Sequence, residues 1–186
     1  MPGQHFYPAF LDLRGRRVLV VGGGGIAARK ARALTLCGAK VALVAPRVTP
    51  SARRYAHTVA VRRFRVADLA GAAIVVSAAD DEKVNERVSA LCRARGLWAN
   101  VVDRPRLCDF IVPAVARRGR IAVAVSTGGA CPGLARALRQ RLERRFLRRE
   151  DAALAERLAR RRPALRGLSM AQRRRALRAE LEAAAR

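Results

Sequence analysis

Lysine is almost missing from this chain of 186 residues. Lys30, Lys40 and Lys83 are its only lysines, yet Lys and Arg together number 39 against 14 Asp and Glu, so arginine carries a net charge of +25. Aromatic side chains are scarce too, at 4% of residues, and no stacking platform or recognised DNA-reading motif accompanies the charge. That combination argues against a specific nucleic-acid binder, although charge alone would give salt-dependent attachment to random duplex. His5 and His57 are the only histidines, and Cys37, Cys92, Cys108 and Cys131 form no C-x-x-C pair, which leaves no pattern for a preformed metal site. No apolar run approaches the ~20 residues of a membrane span. Met1 to Leu13 lacks the cationic start and apolar core of a signal peptide. The expectation is a soluble, cytoplasmic chain with reduced thiols, in which Cys37 and Cys92 act as small buried hydrophobes on helix faces.

What is present is half apolar, at 51% of residues. That suffices for one α/β domain of roughly 110 residues with a smaller appendage. Arg17 to Val21 reads as a strand that breaks into Gly22-Gly23-Gly24-Gly25, and a helix from Ile26 to Cys37 follows, closed by Gly38. Lys40 to Ala45 then completes a βαβ unit. Val59 to Phe64 and Ile74 to Ala78 are further strands, Asp80 is placed to cap a helix from about Asp81 to Arg95, and Leu97 to Val102 is the next strand, ending in Asp103 and Pro105. Phe110 to Val115 and Arg120 to Ser126 suggest an antiparallel hairpin joined by Ala116 to Gly119. A proline-started helix after Pro132 carries Leu134, Leu138, Leu142 and Phe146 along one stripe, Pro163 interrupts the helical tail, and Ser169 with Gln172 makes a capping box for a last helix with Leu177 and Leu181. The expected fold class is α/β: a Rossmann-like parallel sheet over residues 1–112, a hairpin-helix segment over 113–147, and a small helical C-terminal tail over 148–186.

Gly22-x-Gly24-x-x-Ala27, between a strand and a helix, is a dinucleotide fingerprint. Its first glycine permits the turn, its second lets a pyrophosphate approach the backbone, and the small third residue allows close helix packing. The acidic residue that usually holds the adenosine ribose is absent, since the second strand ends Val44-Ala45-Pro46-Arg47. Arg47 can take a 2′-phosphate there, or backbone groups near Pro46 and Arg47 can hold an ordinary NAD ribose. Asp103 lies at the carboxyl end of an expected parallel strand, where such sheets place ligand-binding groups, with Arg104 and Arg106 as neighbours that favour its ionised form; a turn-initiating aspartate before Pro105 is the alternative. The small-residue turn from Ser126 to Pro132 suits an anion through free backbone amides and two hydroxyls, or else Gly128 and Gly129 simply let the hairpin close onto the helix. The net charge invites a polyanionic partner, either nucleic acid or a multi-carboxylate small molecule, while a solvated arginine-rich surface accounts equally for many arginines after Arg144.

Five ordered blocks carry a resemblance: Gly22 to Ala31; Ala78-Ala79-Asp80-Asp81 with Val84-Asn85; Asn100-Val101-Val102-Asp103; Phe110-Ile111-Val112-Pro113; and Val125-Ser126-Thr127-Gly128-Gly129. Together they resemble the precorrin-2 dehydrogenase and sirohydrochlorin ferrochelatase family, which includes the N-terminal module of sirohaem synthase, over about residues 6–147. The resemblance implies NAD as cofactor and a homodimer formed through residues 113–147. It implies Gly25, Ile26, Pro46 and Arg47 at the cofactor, Asp103 as the catalytic aspartate, and Ser126, Thr127 and Gly128 beside the tetrapyrrole. It also implies precorrin-2, a reduced tetrapyrrole with eight carboxylates, as the polyanionic substrate, with ferrous iron as a substrate if the chain is also a chelatase, and no dedicated metal site. Thr127 stands where some members carry a phosphorylatable serine. The methyltransferase domain of the fused synthases is expected to be absent, because the chain ends at Arg186. A non-catalytic nucleotide sensor on the same fold remains the alternative from another class; it predicts NAD binding with an inert Asp103 and no tetrapyrrole affinity.

Overall fold

Five short, largely apolar segments pair into one parallel sheet: β1 (Arg17–Val21), β2 (Lys40–Ala45), β3 (Thr58–Val61), β4 (Ile74–Ser77) and β5 (Trp98–Val101), in the order β3-β2-β1-β4-β5. They come from a computed structural model that describes residues 6–185, apart from the side chains at 179–181 and 183–185. Side chains alternate across a strand, so Leu19 and Val21 enter one core with Phe64, Val75, Val88 and Cys92, while Val18 and Val20 enter another with Ala27, Ala31, Val41 and Val76. Both faces are therefore buried, which explains why β1 and β2 read as continuous apolar runs. Helix α1 (Gly25–Leu36) covers one face through its alanines, and α3 (Glu82–Arg93) covers the other through Val88 and Cys92. A one-turn helix, α2 (Pro50–Arg53), follows β2 and is capped by Thr49. This is the Rossmann-like α/β architecture expected from the sequence.

Several boundaries differ from the sequence reading for local reasons. β3 stops at Val61 instead of continuing to Phe64: Arg62 turns aside to grip Asp68 with two hydrogen bonds of 2.8 and 2.6 Å, and Phe64 folds into the core beside Val88. Asp81, not Asp80, caps α3, accepting from the Lys83 amide at 2.9 Å. The preceding residue, Ala79, is already held by Asn85, whose amide group donates to the Ala79 carbonyl at 2.9 Å and whose Oδ1 accepts from the Ala79 amide at 3.3 Å. Cys92 is fully buried as expected, but Cys37 is only half-buried because it forms the C-terminal cap of α1.

The chain divides into two units, Met1–Val112 and Pro113–Arg186. In the second, β6 (Ala114–Arg118) and β7 (Ile121–Val125) form an antiparallel hairpin with Arg118 opposite Ile121, so the loop is Gly119-Arg120. The expected loop at Ala116 to Gly119 is thus displaced toward the C-terminus. Gly119 at φ +55° supplies the left-handed residue that a two-residue loop needs, and Asn100 already holds the Phe110 carbonyl at 3.0 Å, which keeps Phe110 out of the hairpin. Helix α4 (Pro132–Phe146) half-buries Leu138 and Leu142 but leaves Leu134 and Phe146 50% and 62% exposed. Helix α5 (Arg149–Arg161) buries Leu154, a 3-10 turn spans Pro163, and α6 (Met170–Ala185) starts at the Ser169–Gln172 capping box, with bonds of 2.9 and 3.3 Å. Leu177 is half-buried; the Leu181 side chain lies outside the described residues. Among the described residues no helix is long and apolar enough to cross a membrane.

The Ser77–Asn85 contact joins β4 to α3 inside the protein, the Ser77 hydroxyl donating to Asn85 Oδ1 at 2.7 Å with both residues buried. Replacing Asn85 by Ala strands that hydroxyl and both backbone groups of Ala79. Because an orphaned buried polar group costs about 1–3 kcal/mol, the Asn85→Ala variant should lose at least about 2 kcal/mol in urea unfolding; a loss within error of zero would show that the network carries no net stability.

Candidate functional site

The chain leaves β1 through four glycines whose roles differ. Gly22 has φ +128°, and a Cβ there would lie 2.3 Å from the Ala78 carbonyl oxygen; a Cβ on Gly23 would lie 2.0 Å from the Arg47 carbonyl oxygen. These two glycines let the turn nest against the ends of β4 and β2. The Gly22 amide bonds the Val44 carbonyl at 2.9 Å, and the Thr49 amide and hydroxyl both donate to the Gly23 carbonyl, at 2.9 and 3.0 Å. A Cβ on Gly24 or Gly25, by contrast, would meet nothing within 4 Å. That open side leads into α1, and Gly24, the cap residue just before it, has no side chain to bond the first amides of the helix, which also have no intrahelical acceptor.

Above the turn lies a cleft of about 820 Å³, built wholly within the first unit. Gly22, Gly23 and Gly24 line it, with Pro46, Arg47 and Thr49 after β2, Arg63 and Phe64 after β3, Ala79, Asp80 and Asp81 after β4, and Val84 and Arg87 on α3. It opens where the strand order reverses between β1 and β4, the position at which open α/β sheets bind ligands. Donor amides at a helix start, a glycine-thinned wall and guanidinium groups fit the pyrophosphate and ribose of a dinucleotide. Of the residues singled out from sequence, Gly22, Gly24, Pro46 and Arg47 meet in this cleft; Gly25 and Ile26 form the adjoining first turn of α1, with Ile26 partly exposed.

Asp103 follows β5, after a last sheet bond from the Val102 amide to the Ser77 carbonyl at 2.9 Å. Its φ of +58° makes it the only non-glycine in the left-handed region among the described residues. Such a conformation persists only where its surroundings enforce it. Here Cys108 Sγ sits 3.2 Å from the Val101 amide, Ser89 donates to the Leu107 carbonyl at 3.0 Å, and Arg104 is drawn 2.8 Å from Glu82. Arg104 is thus paired with Glu82, and Asp103 interacts electrostatically with Lys30 on α1. Burial pushes the Lys30 amine below its ordinary value, and the Asp103 and Cys108 side chains oppose that shift. Lys30, Arg63 and Arg87 were missed in the sequence. Lys30 alone left a signal there, a lysine in an otherwise arginine-rich chain, one turn into the helix after the glycines.

The turn Ser126–Pro132 lies in the second unit and is more self-satisfied than expected. Thr127 Oγ1 accepts from the Cys131 amide at 3.0 Å and donates to the Cys131 carbonyl at 3.1 Å, the Ala130 amide bonds the Thr127 carbonyl at 3.1 Å, and the Gly128 amide bonds Ser126 Oγ at 3.1 Å. Three of its amides and the Thr127 hydroxyl proton are therefore used internally. Ser126 accepts through its oxygen, and its proton bonds no described residue. Gly128 and Gly129 adopt φ of +63° and +87°.

Residues 9–114 match a family model described as putative NAD(P)-binding, and residues 118–145 match the sirohaem biosynthesis protein central model. The chain belongs to this NAD(P)-binding family. The family resemblance read from the ordered blocks is borne out. The chain is 45% identical to a siroheme synthase of Ectopseudomonas mendocina over 142 residues, 75% of this chain and 31% of that protein, and 46% identical to siroheme synthase 2 of Aeromonas hydrophila over 153 residues, 81% of this chain and 32% of that protein. It thus spans about a third of the length of these curated relatives. Among solved structures it resembles SirC, precorrin-2 dehydrogenase, with a TM-score of 0.73 and 28% identity, covering 95% of this chain and 89% of that one.

The glycines separate packing from binding, which gives a paired test. Gly23→Ala should lower stability by about 1–3 kcal/mol or more through the clash with a backbone carbonyl. Gly24→Ala should leave unfolding within about 0.5 kcal/mol of the parent while weakening NAD binding in a fluorescence titration. Equal effects of both variants on stability and on affinity would refute the division.

Proposed function

We propose that the chain catalyses the NAD-dependent oxidation of precorrin-2 to sirohydrochlorin, a step of sirohaem biosynthesis. The observation that carries this reading is Asp103, strained and exposed at the end of β5 in the same unit as the dinucleotide cleft. The full-length likeness to a precorrin-2 dehydrogenase supports it. Bound NAD supplies the hydride acceptor. In this reading Gly22, Gly24, Gly25, Ile26, Pro46 and Arg47 hold the cofactor through backbone amides, an open glycine wall and a guanidinium. The oxidation also releases a proton, and Asp103 takes it, with Lys30 offsetting the carboxylate charge until then.

Ser126, Thr127 and Gly128 contact the substrate in this proposal, with a division of labour that the turn's bonding favours. Ser126 has a proton to give to a substrate carboxylate, whereas Thr127 keeps the turn in shape and Gly128 supplies its left-handed residue. The chain's arginine excess matches the eight carboxylates of the substrate. The apolar side chains on β6 and α4, where Val115, Leu134 and Phe146 are 37%, 50% and 62% exposed, support a homodimer. Cys37, Cys92, Cys108 and Cys131 form no disulfide, which fits the reducing cytoplasm as the compartment.

Purified protein mixed with precorrin-2 and NAD or NADP should form sirohydrochlorin, followed by its absorbance, and adding ferrous iron to the product tests chelation in the same preparation. No turnover with either cofactor would end the enzyme reading in favour of a nucleotide sensor. Asp103→Asn should cut kcat by about 100-fold or more, the usual scale of general-base catalysis, with NAD affinity retained; unimpaired turnover would remove Asp103 from the mechanism. Ser126→Ala should raise the tetrapyrrole Kd by about tenfold, for one charge-assisted hydrogen bond, with an unchanged unfolding midpoint. Thr127→Ala should lower that midpoint instead, and a reversal of the two phenotypes would overturn the assignment.

A further inference from the structure

The parallel sheet ends at β5, whose outer edge has no strand beside it. Backbone groups on such an edge must find other partners, and the loop after β5 supplies them. Asp109 serves Ala99: its Oδ2 accepts from the Ala99 amide at 2.9 Å, and its own amide bonds the Ala99 carbonyl at 2.8 Å. Cys108 serves Val101 through a single atom. Its Sγ accepts from the Val101 amide at 3.2 Å, and its one proton has the Val101 carbonyl at 3.1 Å and the Arg104 carbonyl at 3.3 Å as acceptors. Val101 and Arg104 bracket the turn Val102-Asp103, and Asp103 is the residue held at φ +58°. The Asn100 amide group lies 3.6 Å from the same sulfur, and Asp103 and Cys108 both act electrostatically on Lys30, so thiol and carboxylate share one neighbourhood. Burial pushes the Cys108 thiol above its ordinary value, which keeps on it the proton that this bonding needs.

We propose that Cys108 is the positioning residue of Asp103: the thiol clasps both ends of the turn that carries the carboxylate and sets its direction for proton transfer, without touching substrate or cofactor. The proposal rests on the reading of Asp103 as the proton acceptor. A left-handed aspartate relaxes toward commoner backbone regions unless its neighbours hold it, and a displacement of about 1 Å at a reacting group can cost about a hundredfold in rate. Loss of the clasp therefore falls on kcat and spares ligand affinity.

Steady-state kinetics of the full chain with precorrin-2 and NAD, combined with a double-mutant cycle, test this. Cys108→Ala should lower kcat about tenfold or more with both KM values unchanged, and Cys108→Ser, whose hydroxyl also donates and accepts, should recover a large part of that loss. In the Asp103→Asn background Cys108→Ala should cost nothing further, because the thiol then has no carboxylate to position. Asp109→Ala, which strips the Ala99 pair from the same edge, should lower the unfolding midpoint and keep kcat. Should Cys108→Ala not fold, Cys108→Ser carries the same cycle, with a smaller fall in kcat that again vanishes beside Asp103→Asn. An unchanged kcat in the Cys108 variants, losses that multiply in the double variant, or an equal fall of kcat in Asp109→Ala overturns the positioning role and leaves Asp103 in place. No turnover by the parent, or full turnover by Asp103→Asn, overturns the reading of Asp103 itself, and the proposal with it.

Discussion

Two close backbone approaches fix the geometry of the first unit. The turn after β1 can reach the ends of both flanking strands only because Gly22 lies against the Ala78 carbonyl and Gly23 against the Arg47 carbonyl, at separations no side chain would allow. From that nesting follow the start of α1 at Gly25, the exposure of its first amides and the burial of Ala27 and Ala31 on the sheet. It also brings the ends of β1, β2 and β4 to one crevice, so the cleft and the core have a common origin.

Charge is used differently in different parts of the chain. Acidic residues are few, and most are committed: Asp68 to Arg62, Asp81 to the α3 cap, Glu82 to Arg104, Asp109 to the Ala99 amide and to Arg93. Those pairs pin the loops that frame the site. Surface ion pairs of this kind contribute little stability, and their effect here is geometric, fixing Arg104 on Glu82 and Arg62 on Asp68. Arg47, Arg63 and Arg87, which form no ion pair with a described residue, line the cleft.

The local features were legible from sequence because they depend on neighbours. The glycine turn, its strand and its helix follow from residues within about one helical turn of each other, and so do the Ser169–Gln172 cap and the pairing of Gly22 and Gly24 with Pro46 and Arg47 across one βαβ unit. What escaped depends on contacts made across the sheet. Phe64 continues an apolar pattern and so looked like strand, but its destination is a pocket made by α3. Asp80 read as the cap of α3 from sequence, but the cap is Asp81, and Asn85 holds the neighbouring Ala79. Lys30 and Asp103 are far apart in the chain, and only the strand order that sets β5 beyond β4, beside the helix that follows β1, makes them electrostatic partners. The Ser126–Pro132 turn was recognised as a turn, yet its internal hydrogen bonding depends on rotamers that composition does not reveal.

Every side chain that lines the cleft lies between Val21 and Arg87, inside the first unit and on one uninterrupted stretch of chain. Nucleotide recognition is thereby portable. Whatever is joined to the end of β5 can be lengthened, exchanged or fused to a separate catalyst without redrawing the walls of that cleft.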